Sequence, residues 1–564
     1  MRLDRRSALR LLAFGAVSPA AVPVIAAPSE DRSSFRHGVA AGDPATDKLI
    51  IWTRATPHRP GGRVTVRWAV AEDPEFRRIR ARGAVDTGPE RDFTVKVDVG
   101  GLEPGRDYWY GFRAGQEGSP VGRARTLPAG RTEEVVLAAL CCAHWQCGLF
   151  NAYDAVARLP RVDAIIHLGD YIYEDAEDGS AHAKRLGDEL GRYMQPAHEL
   201  LTLADYRTRH ALHKTDPDLQ AAHARAAWIC QWDDHETAND CWKDGAEKHD
   251  PKTEGSWGAR KAAALKAYYE WMPIREPARG HPVEAINRTF QFGDLASLVM
   301  LETRLVARAH QLSYEKDLTF STGRDGRPVP DFADFQRRLD DPARQVLGPQ
   351  QEAWLAEELR ASLSSGRPWQ VLGSGVVMGR VVAPDVKALL GPVLSEVVLA
   401  SLPAEERDRA SRLAGLFANH VPYDLDSWDG YPAARERLYR ICQAAGAKPI
   451  VLSGDSHAFW ANDLADQAGR PVGVEFGATS ITSPGVCDLV PAVPVNRFIE
   501  DANPEVRFCD HGAKGFVRLT LTRKQAIGEL MAVSTVRAKP YDVSVLTRYR
   551  VAPGGSRLEP VTEV

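Results

Sequence analysis

The chain has few of the features that mark membrane proteins, disulfide-bonded miniproteins or nucleic-acid-binding proteins. After the first thirty residues, no apolar stretch is long enough to cross a bilayer. Cysteine is sparse, with 8 residues among 564, and a chain of this length can bury a core without a disulfide scaffold. The formal net charge of −4 gives no basic excess for nucleic acid. We therefore predict no membrane span in the mature protein and no specific nucleic-acid binding.

The first residues are typical of an export signal. Arg5 and Arg6 precede an apolar stretch that is too short to span a membrane, and Ala26 and Ala27 offer a cleavage site. Paired arginines before such a stretch resemble a twin-arginine signal, with an ordinary secretory signal as the alternative. We predict that residues 1–27 direct export through the twin-arginine machinery, so that the protein is periplasmic or secreted.

Residues 33–130 have the pattern of a β-sandwich. The segments KLIIWTRA, GRVTVRWAVA, DFTVKVDV and RDYWYGFRAG are rich in β-branched and aromatic residues and are separated by Pro, Gly and Asp. The stretch from Leu102 to Phe112 resembles the turn and strand of a fibronectin III-like module, with Tyr108 as a corner tyrosine. Because the segment contains no group of His or carboxylate residues, we predict an accessory domain.

Residues 133–535 have a different pattern, in which short apolar runs alternate with helical segments. This alternation predicts an α/β fold with a buried sheet, followed by a C-terminal tail at 536–564. Ligands of such sheets bind beyond the carboxyl ends of the strands. The residues directly after each apolar run are therefore the candidates for the functional site.

Two such runs end in potential metal ligands of unusual kinds. The run AIIHL is followed by Gly169, Asp170 and, one turn later, Tyr173; a carboxylate and a phenolate together suit a hard ion such as Fe(III). The run VVLAAL ends in Cys141 and Cys142, and a thiolate beside a metal is a ligand. Taken singly, Asp170 is also a possible helix cap, Tyr173 a packing aromatic and the cysteines buried thiols.

Two further runs end in acidic residues and histidine. After AAWICQW come Asp233, Asp234, His235 and Glu236, with Asn239 close behind, and after PIVLS come Gly454, Asp455 and His457. The alternatives are a solvated acidic loop and a core histidine. Four runs that all end in this way indicate one site at one edge of a sheet, where clustered carboxylates would repel one another without cations. We predict a centre of two or more metal ions, for which spacing alone also permits Zn or Mn.

At this point the sequence resembles the PhoD family of alkaline phosphatases. The resemblance rests on GDYIYE, WDDHE, GDSH and the Cys-containing strand end, on FRHGVAAGDP followed by IWTRA, and on YYEWMPIR, LGPQQEAWL, WDGYPAAR and EFGATSITSPG. It covers nearly the whole chain in order. It implies an αββα-type metallophosphoesterase domain after the β-sandwich, with Fe(III) and Ca(II) as cofactors, and the hydrolysis of phosphomonoesters or phosphodiesters by water activated at the metal.

The resemblance also implies roles for individual residues. The metal ligands would be Cys142, Asp170, Tyr173, Asp234, Asn239, Asp455 and His457. His235 would face the phosphate as a catalytic residue, and Arg304 or Arg275 would clamp it, with Arg304 catalytic and Arg275 substrate-binding. The family usually shows Asp-x-Arg after the central strand, whereas this chain has Glu302-Thr303-Arg304, which leaves the role of Glu302 open.

Two alternatives to this function come from different classes. One is a related metallohydrolase with another phosphate substrate, a phosphotriester or a nucleic acid. The other is a non-catalytic exported phosphate-binding protein. Cys487 and Cys509 are candidates for a disulfide only because both lie late in the chain.

Overall fold

Two large β-sheets pack face to face in this computed structural model, which describes residues 35–57, 62–322, 328–401, 404–490 and 493–561. The predicted export signal lies outside the described residues. The strands are β1 (Val39–Gly42), β2 (Leu49–Arg54), β3 (Val64–Ala71), β4 (Ile79–Thr87), β5 (Thr94–Val99), β6 (Asp107–Ala114), β7 (Glu117–Gly118), β8 (Gly122–Arg125), β9 (Glu134–Leu140), β10 (Ala164–His167), β11 (Ala227–Cys230), β12 (Arg288–Phe292), β13 (Ala296–Met300), β14 (Phe320–Thr322), β15 (Pro328–Pro330), β16 (Trp369–Gly373), β17 (Ile450–Ser453), β18 (Phe459–Ala465), β19 (Pro471–Gly477), β20 (Val506–Asp510), β21 (Lys514–Thr522), β22 (Ala526–Val533), β23 (Val543–Val551) and β24 (Glu559–Pro560).

The helices lie mainly on the outer faces of the two sheets. They are α1 (Asn151–Ala157), α2 (Ala181–Leu190), α3 (Leu203–His213), α4 (Pro217–Arg225), α5 (Trp257–Trp271), α6 (Phe332–Leu339), α7 (Gly348–Ser364), α8 (Val386–Ser401), α9 (Ala404–Phe417), α10 (Pro432–Ala445), α11 (Val486–Leu489) and α12 (Val495–Ala502). Helix α8 is interrupted at Gly391, whose φ of 75° is not helical. None of the helices that the structure describes is long and apolar enough to cross a membrane.

The first sheet has the strand order β24-β23-β22-β21-β9-β10-β11-β1-β2-β5. Strands β9, β10 and β11 are parallel to one another, and β21 runs antiparallel to β9. Every residue of β10 and β11 is buried, as expected of parallel strands with both faces covered. Helices α1, α3 and α5 cover the outer face through residues such as Tyr153, Tyr206 and Tyr268.

The second sheet has the order β12-β13-β16-β17-β19-β18-β20, in which β13, β16, β17 and β19 are parallel. Leu298, Val371 and Leu452 from this sheet meet Leu137 and Ile166 of the first sheet in one core. Helices α7 and α10 cover the outer face. The central part of the molecule therefore has a helix–sheet–sheet–helix layering, and the predicted α/β fold is confirmed.

The N-terminal part is rich in β-structure, as predicted. Strands β3, β4, β6, β7 and β8 form a smaller sheet that packs against β1, β2 and β5. The Tyr108 hydroxyl accepts a hydrogen bond from the Glu103 N–H at 2.8 Å, which ties the start of β6 to the preceding turn. The strands β1, β2 and β5 are the second layer of this N-terminal sandwich. Because β1 pairs in parallel with β11, this layer is continuous with the first large sheet. The two parts of the chain thus share one sheet rather than meeting only through side chains.

Candidate metal centre

The predicted site residues follow the carboxyl ends of parallel strands in both sheets. Cys142 follows β9, Asp170 follows β10, Asp234 follows β11, and Asp455 and His457 follow β17. Their ligand atoms lie within 4.8 Å of one another in overlapping groups: Cys142, Asp170 and His457; Asp170, Asp234 and His235; and Asp170, Asp233, Asp234 and Asp455. The two sheets therefore bring the strand ends to one place, as the sequence predicts.

The backbone at these strand ends turns sharply. Cys142, Asp170, Asp455 and His457 all have left-handed conformations, with φ of 61°, 55°, 68° and 55°. Non-glycine residues in this region are strained, and such strain is concentrated at functional sites. Before Asp170, Gly169 has a φ of 123°, and a Cβ there would lie 2.3 Å from the Cβ of Asp233. Glycine is therefore required where the chain turns between β10 and the loop after β11.

The first group is built around Tyr173. Its hydroxyl donates to Oδ2 of Asp170 at 3.1 Å, lies 3.2 Å from Nε2 of His457, and accepts from the Ser483 hydroxyl at 2.7 Å. Burial, with Asp170 and Cys142 nearby, holds the pKa of Tyr173 well above its ordinary value. Burial also raises the pKa of the Cys142 thiol, and Cys141 and Asp170 add to the effect. Both groups would need a cation beside them to lose their protons.

The protonation of His457 is set by its surroundings. Its Nδ1 lies 2.9 Å from the carbonyl oxygen of Pro484, which can only accept, so Nδ1 carries the proton. Burial lowers the pKa of His457 to about 4, and the ring is neutral at ordinary pH. The lone pair on Nε2 therefore points into the group with Tyr173, Asp170 and Cys142, which is the arrangement of a histidine metal ligand.

The second group is a set of carboxylates that is not fully compensated within the protein. Oδ1 of Asp170 and Oδ1 of Asp234 are buried and have no hydrogen-bond partner in the part of the chain that the structure describes. Burial and the neighbouring carboxylates hold the pKa of Asp170 well above its usual range, and burial together with Asp426 and Asp233 does the same for Asp455. Buried anionic oxygens without donors are unfavourable unless a cation binds them. The donor set of thiolate, imidazole, phenolate and carboxylates thus fits a metal centre.

His235 lies at the edge of this group and is oriented by a residue that the sequence analysis did not select. Its Nδ1 is 2.6 Å from Oε2 of Glu174, whose other oxygen accepts the Asn239 N–H at 2.7 Å. Burial acts to lower the pKa of His235, but Glu174, Asp234 and Asp170 outweigh it and hold the pKa well above its ordinary value. An imidazolium fixed at Nδ1 can present Nε2 to an anionic substrate.

Two further glutamates hold the loops together. Oε2 of Glu236 accepts the N–H groups of Asp170 at 3.0 Å and Asp233 at 2.7 Å, and Oε1 accepts that of Tyr171 at 2.6 Å. Glu302 accepts backbone N–H groups of the loop after β13 and the indole N–H of Trp232. Glu302 thus shapes the loop rather than facing the ligand groups, and Glu174 and Glu236 were visible only as parts of the GDYIYE and WDDHE motifs.

Arg304 reaches the site, but its guanidinium is enclosed by carboxylates. It is fully buried and forms two hydrogen bonds with Asp233, at 2.6 and 2.8 Å. It also bonds both oxygens of Asp426, at 2.7 and 2.6 Å. Asp426 precedes the WDGYP motif and was not predicted. Four of the five N–H groups of Arg304 thus donate to protein carboxylates. These contacts do not support the predicted phosphate clamp, which stays a prediction.

The structure does not bring Arg275 and the Asn239 side chain into the ligand groups. The Arg275 guanidinium pairs with both oxygens of Asp98 on β5 at 2.8 Å and bonds the carbonyl of Asp43. It therefore holds the N-terminal strands, and substrate binding by Arg275 stays a prediction that these contacts do not support. The Asn239 amide donates to Glu247 at 3.3 Å on the exposed side of the loop, so its contact with the site is the backbone N–H to Glu174. Cys487 and Cys509 are free thiols.

A cavity of about 380 Å³ opens beside the ligand groups, and we call it the site cavity. Asp426, Asp455 and His457 line it, together with the aromatic residues Trp242, His310 and Tyr314 and with further charged residues, among them Asp240, Glu247, Glu315, Lys316 and Asp424. A concave site of this volume with convergent polar groups is typical of small-molecule binding. The cavity gives a substrate access to the ligand groups.

Comparisons with known proteins agree with this architecture. Residues 137–530 match the family model of the PhoD-like phosphatases, and residues 19–128 match the model of their N-terminal domain. Alkaline phosphatase D of Bacillus subtilis (strain 168) is 33% identical over 524 residues, which cover 90% of this chain and 79% of that protein. A solved structure of PhoD superposes with a TM-score of 0.76 at 31% identity and covers 95% of this chain and 94% of its own.

The fold and the site thus define a phosphoric ester hydrolase. The chain belongs to the PhoD-like phosphatase family, and the resemblance found in the sequence is confirmed. The alternative of a non-catalytic phosphate-binding protein is set aside.

Proposed function

We propose that the protein is an exported, metal-dependent phosphoesterase of the alkaline phosphatase D type that hydrolyses phosphomonoesters, phosphodiesters or both. The observation that carries the proposal is the pair of buried, unpartnered oxygens, Oδ1 of Asp170 and Oδ1 of Asp234, beside the imidazole of His457 and the thiol of Cys142. Oxygens in this state are stabilised by a bound cation.

We further propose that the centre holds Fe(III) and Ca(II). Cys142, Tyr173 and His457, with Asp170 shared, would hold iron, because anionic sulfur and phenolate oxygen suit a trivalent ion. Asp234 and Asp455 would hold calcium, which prefers carboxylate oxygens. Asn239 is no longer part of the proposed ligand set, because its amide faces Glu247.

The reaction divides into what the metal ions supply and what the chain supplies. When bound, the ions neutralise charge on the phosphoryl oxygens and make a water molecule more acidic. His235 donates to the phosphate ester through Nε2, since Glu174 fixes Nδ1. Arg304 acts as a positioning residue, because its guanidinium holds the carboxylates of Asp233 and Asp426 in place.

We propose the domain organisation that the sequence predicts. Residues 1–27 are a twin-arginine signal, residues 33–130 a fibronectin III-like β-sandwich domain, residues 133–535 an αββα-type metallophosphoesterase domain, and residues 536–564 a C-terminal tail. Strand β23 lies within the tail and pairs with β22, so the tail extends the first sheet. Replacement of Arg5 and Arg6 by Lys should retain the protein in the cytoplasm, and unchanged export would contradict the twin-arginine signal.

The proposed chemistry is tested by elemental analysis of protein purified without chelator, together with a visible absorption spectrum and assays on a monoester and a diester. Iron and calcium in stoichiometric amounts, with a visible band that is lost in Tyr173→Phe, are the expected result. Zinc or manganese without colour would overturn the iron assignment but keep the phosphoesterase. Absence of bound metal in active protein would overturn metal dependence. A triester or a nucleic acid as the best substrate would favour the related metallohydrolase.

A further inference from the structure

A second cavity, of about 410 Å³, lies next to the site cavity, and we call it the apolar cavity. Its walls come from α8, α9 and residues 486–490 and 493–495. The side chains that form it are mostly aliphatic, among them Val386, Leu390, Val398, Ala414, Val490 and Val493. Several of these pack on a buried cluster around Trp460 and Ile499, which supports the floor of the cavity. The apolar cavity is therefore part of the folded structure rather than a gap between loops.

The chemistry of the walls limits what the apolar cavity can bind. Lys387 is a charged residue in the wall, and its ammonium group lies 3.5 Å from the Ser411 carbonyl oxygen on α9. A sugar or nucleoside would lose hydrogen bonds to water on entering walls of Val, Leu and Ala, and unpaired polar groups are unfavourable in such a place. An aliphatic chain would gain free energy from the same transfer.

The apolar cavity and the site cavity share a wall. Phe417, Tyr423, Asp424 and Ser456 line both of them. Ser456 stands in the chain between Asp455 and His457, so the apolar cavity begins at the ligand groups. A ligand with its phosphate at Asp455 and His457 can therefore extend a chain past Ser456 and Tyr423 into the apolar cavity.

We propose that the apolar cavity binds the aliphatic chain of an alcohol esterified to the phosphate, so that the preferred substrates are amphiphilic phosphate esters. The proposal rests on the proposed phosphoesterase function and specifies its substrate class. A volume of 410 Å³ is within the range of roughly 300–1,000 Å³ found for small-molecule sites. Each methylene that enters the cavity should raise kcat/KM about fourfold, from about 0.8 kcal/mol per buried methylene.

The test is a chain-length series on the metal-loaded full-length enzyme. Ethyl, butyl, hexyl and octyl 4-nitrophenyl phosphates and the matching monoalkyl phosphates are assayed below the concentrations at which they aggregate. Burial of only two of the six added methylenes would raise kcat/KM about sixteenfold, so we expect a rise of at least about tenfold from ethyl to octyl. A flat or falling series with active ethyl esters would overturn this inference alone. Failure to hydrolyse any ester in the presence of metal would overturn the phosphoesterase function and this inference with it.

Variants connect the effect to the apolar cavity. Leu390→Ser should lower the octyl-to-ethyl ratio of kcat/KM by about tenfold, because a lining side chain becomes polar. Leu389→Ser is the matched control, since Leu389 is adjacent in α8, is 53% exposed and is not part of the wall. Ala414→Phe, which fills the cavity from α9, should also reduce the ratio. A general loss of activity cancels in this ratio, and an unchanged ratio in Leu390→Ser and Ala414→Phe would refute the proposal.

Discussion

Replacement of Glu302 by Gln tests whether this carboxylate shapes a loop or binds a metal. Oε1 of Glu302 accepts the N–H groups of Arg304 at 2.9 Å and Leu305 at 2.7 Å and the indole N–H of Trp232 at 3.1 Å. Oε2 accepts the Val306 N–H at 2.9 Å. Glutamine has the same shape but only one accepting oxygen. If that oxygen accepts from the same three donors, the NH2 group of the glutamine must face the Val306 N–H. Both groups are donors, so no hydrogen bond can form between them.

The size of the effect follows from that single lost contact. A hydrogen bond to a charged group contributes about 1.5–3 kcal/mol to stability, and the half-buried Val306 N–H also loses its acceptor. Burial raises the pKa of Glu302, while the four N–H donors oppose this effect, so the measurement belongs at alkaline pH, where the carboxylate is ionised. We expect Glu302→Gln to lower the free energy of unfolding by about 2–3 kcal/mol and to leave the metal content unchanged.

The assay combines urea unfolding with elemental analysis of the same preparations. Glu475→Gln is a matched control, because Glu475 is also buried and accepts from Met378 N–H at 2.7 Å, Gly379 N–H at 2.9 Å and the Asn462 amide at 2.8 Å. It should lose a similar amount of stability with full metal content. Loss of metal from Glu302→Gln alone would show that Glu302 is a ligand and would refute the loop role. Unchanged stability would show that the N–H contacts contribute little.

Three further predictions concern charge at and near the site. Removal of metal by a chelator should abolish activity and lower the unfolding temperature, because the carboxylates of Asp170 and Asp455 lose their counter-ion. Calorimetry before and after restoring Fe(III) and Ca(II) measures the unfolding temperature, and an unaltered transition would contradict the prediction. Glu174→Gln should lower kcat about 10²-fold or more while metal content is retained, since His235 loses the anionic partner of Nδ1. Steady-state kinetics and elemental analysis test this prediction, and full activity would show that Glu174 has no part in the mechanism. Lys214→Met tests whether a buried lysine destabilises the fold. Burial lowers the pKa of Lys214 to about 7 in the folded parent protein. Between about pH 7 and pH 10 the unfolded parent chain therefore binds more protons than the folded one, and the stability of the parent rises with pH. The variant should therefore be more stable than the parent at pH 7, and its advantage should shrink with rising pH by up to about 1.4 kcal/mol per unit in urea unfolding; an advantage independent of pH would refute the reasoning.

The class of fold was predictable because its signals are local. Continuous apolar runs such as AIIH and AWIC predict buried parallel strands, and the aromatic and β-branched segments before residue 130 predict β-structure. The pairing of β1 with β11 was not predictable, because residues almost two hundred positions apart decide it and neither strand carries a sign of its partner. This pairing makes the N-terminal sandwich continuous with the first large sheet.

The site was predictable where a residue follows directly on an apolar strand. Cys142, Asp170 and Asp455 do so, and the direction of parallel strands brings such residues together. Asp426 could not be found in this way, because it lies in an irregular segment and enters the site through Arg304. The partner of Arg275 could not be found for a related reason: an arginine in a motif has no visible partner in the sequence, and the structure pairs it with Asp98 on β5.

The distribution of charge explains why Arg304 and a metal centre can share one site. Arg304 compensates Asp233 and Asp426 through direct hydrogen bonds. Its guanidinium is also 3.4 Å from Asp234 and 3.6 Å from Asp455, yet Oδ1 of Asp234 receives no hydrogen bond within the described residues. The chain therefore neutralises one part of this carboxylate cluster, Asp233 and Asp426, but not the part to which Asp234 belongs. A cation bound beside Asp234 would complete the compensation. Arg304 donates four of its five N–H groups to Asp233 and Asp426, so these carboxylates, rather than a phosphate, are its main partners.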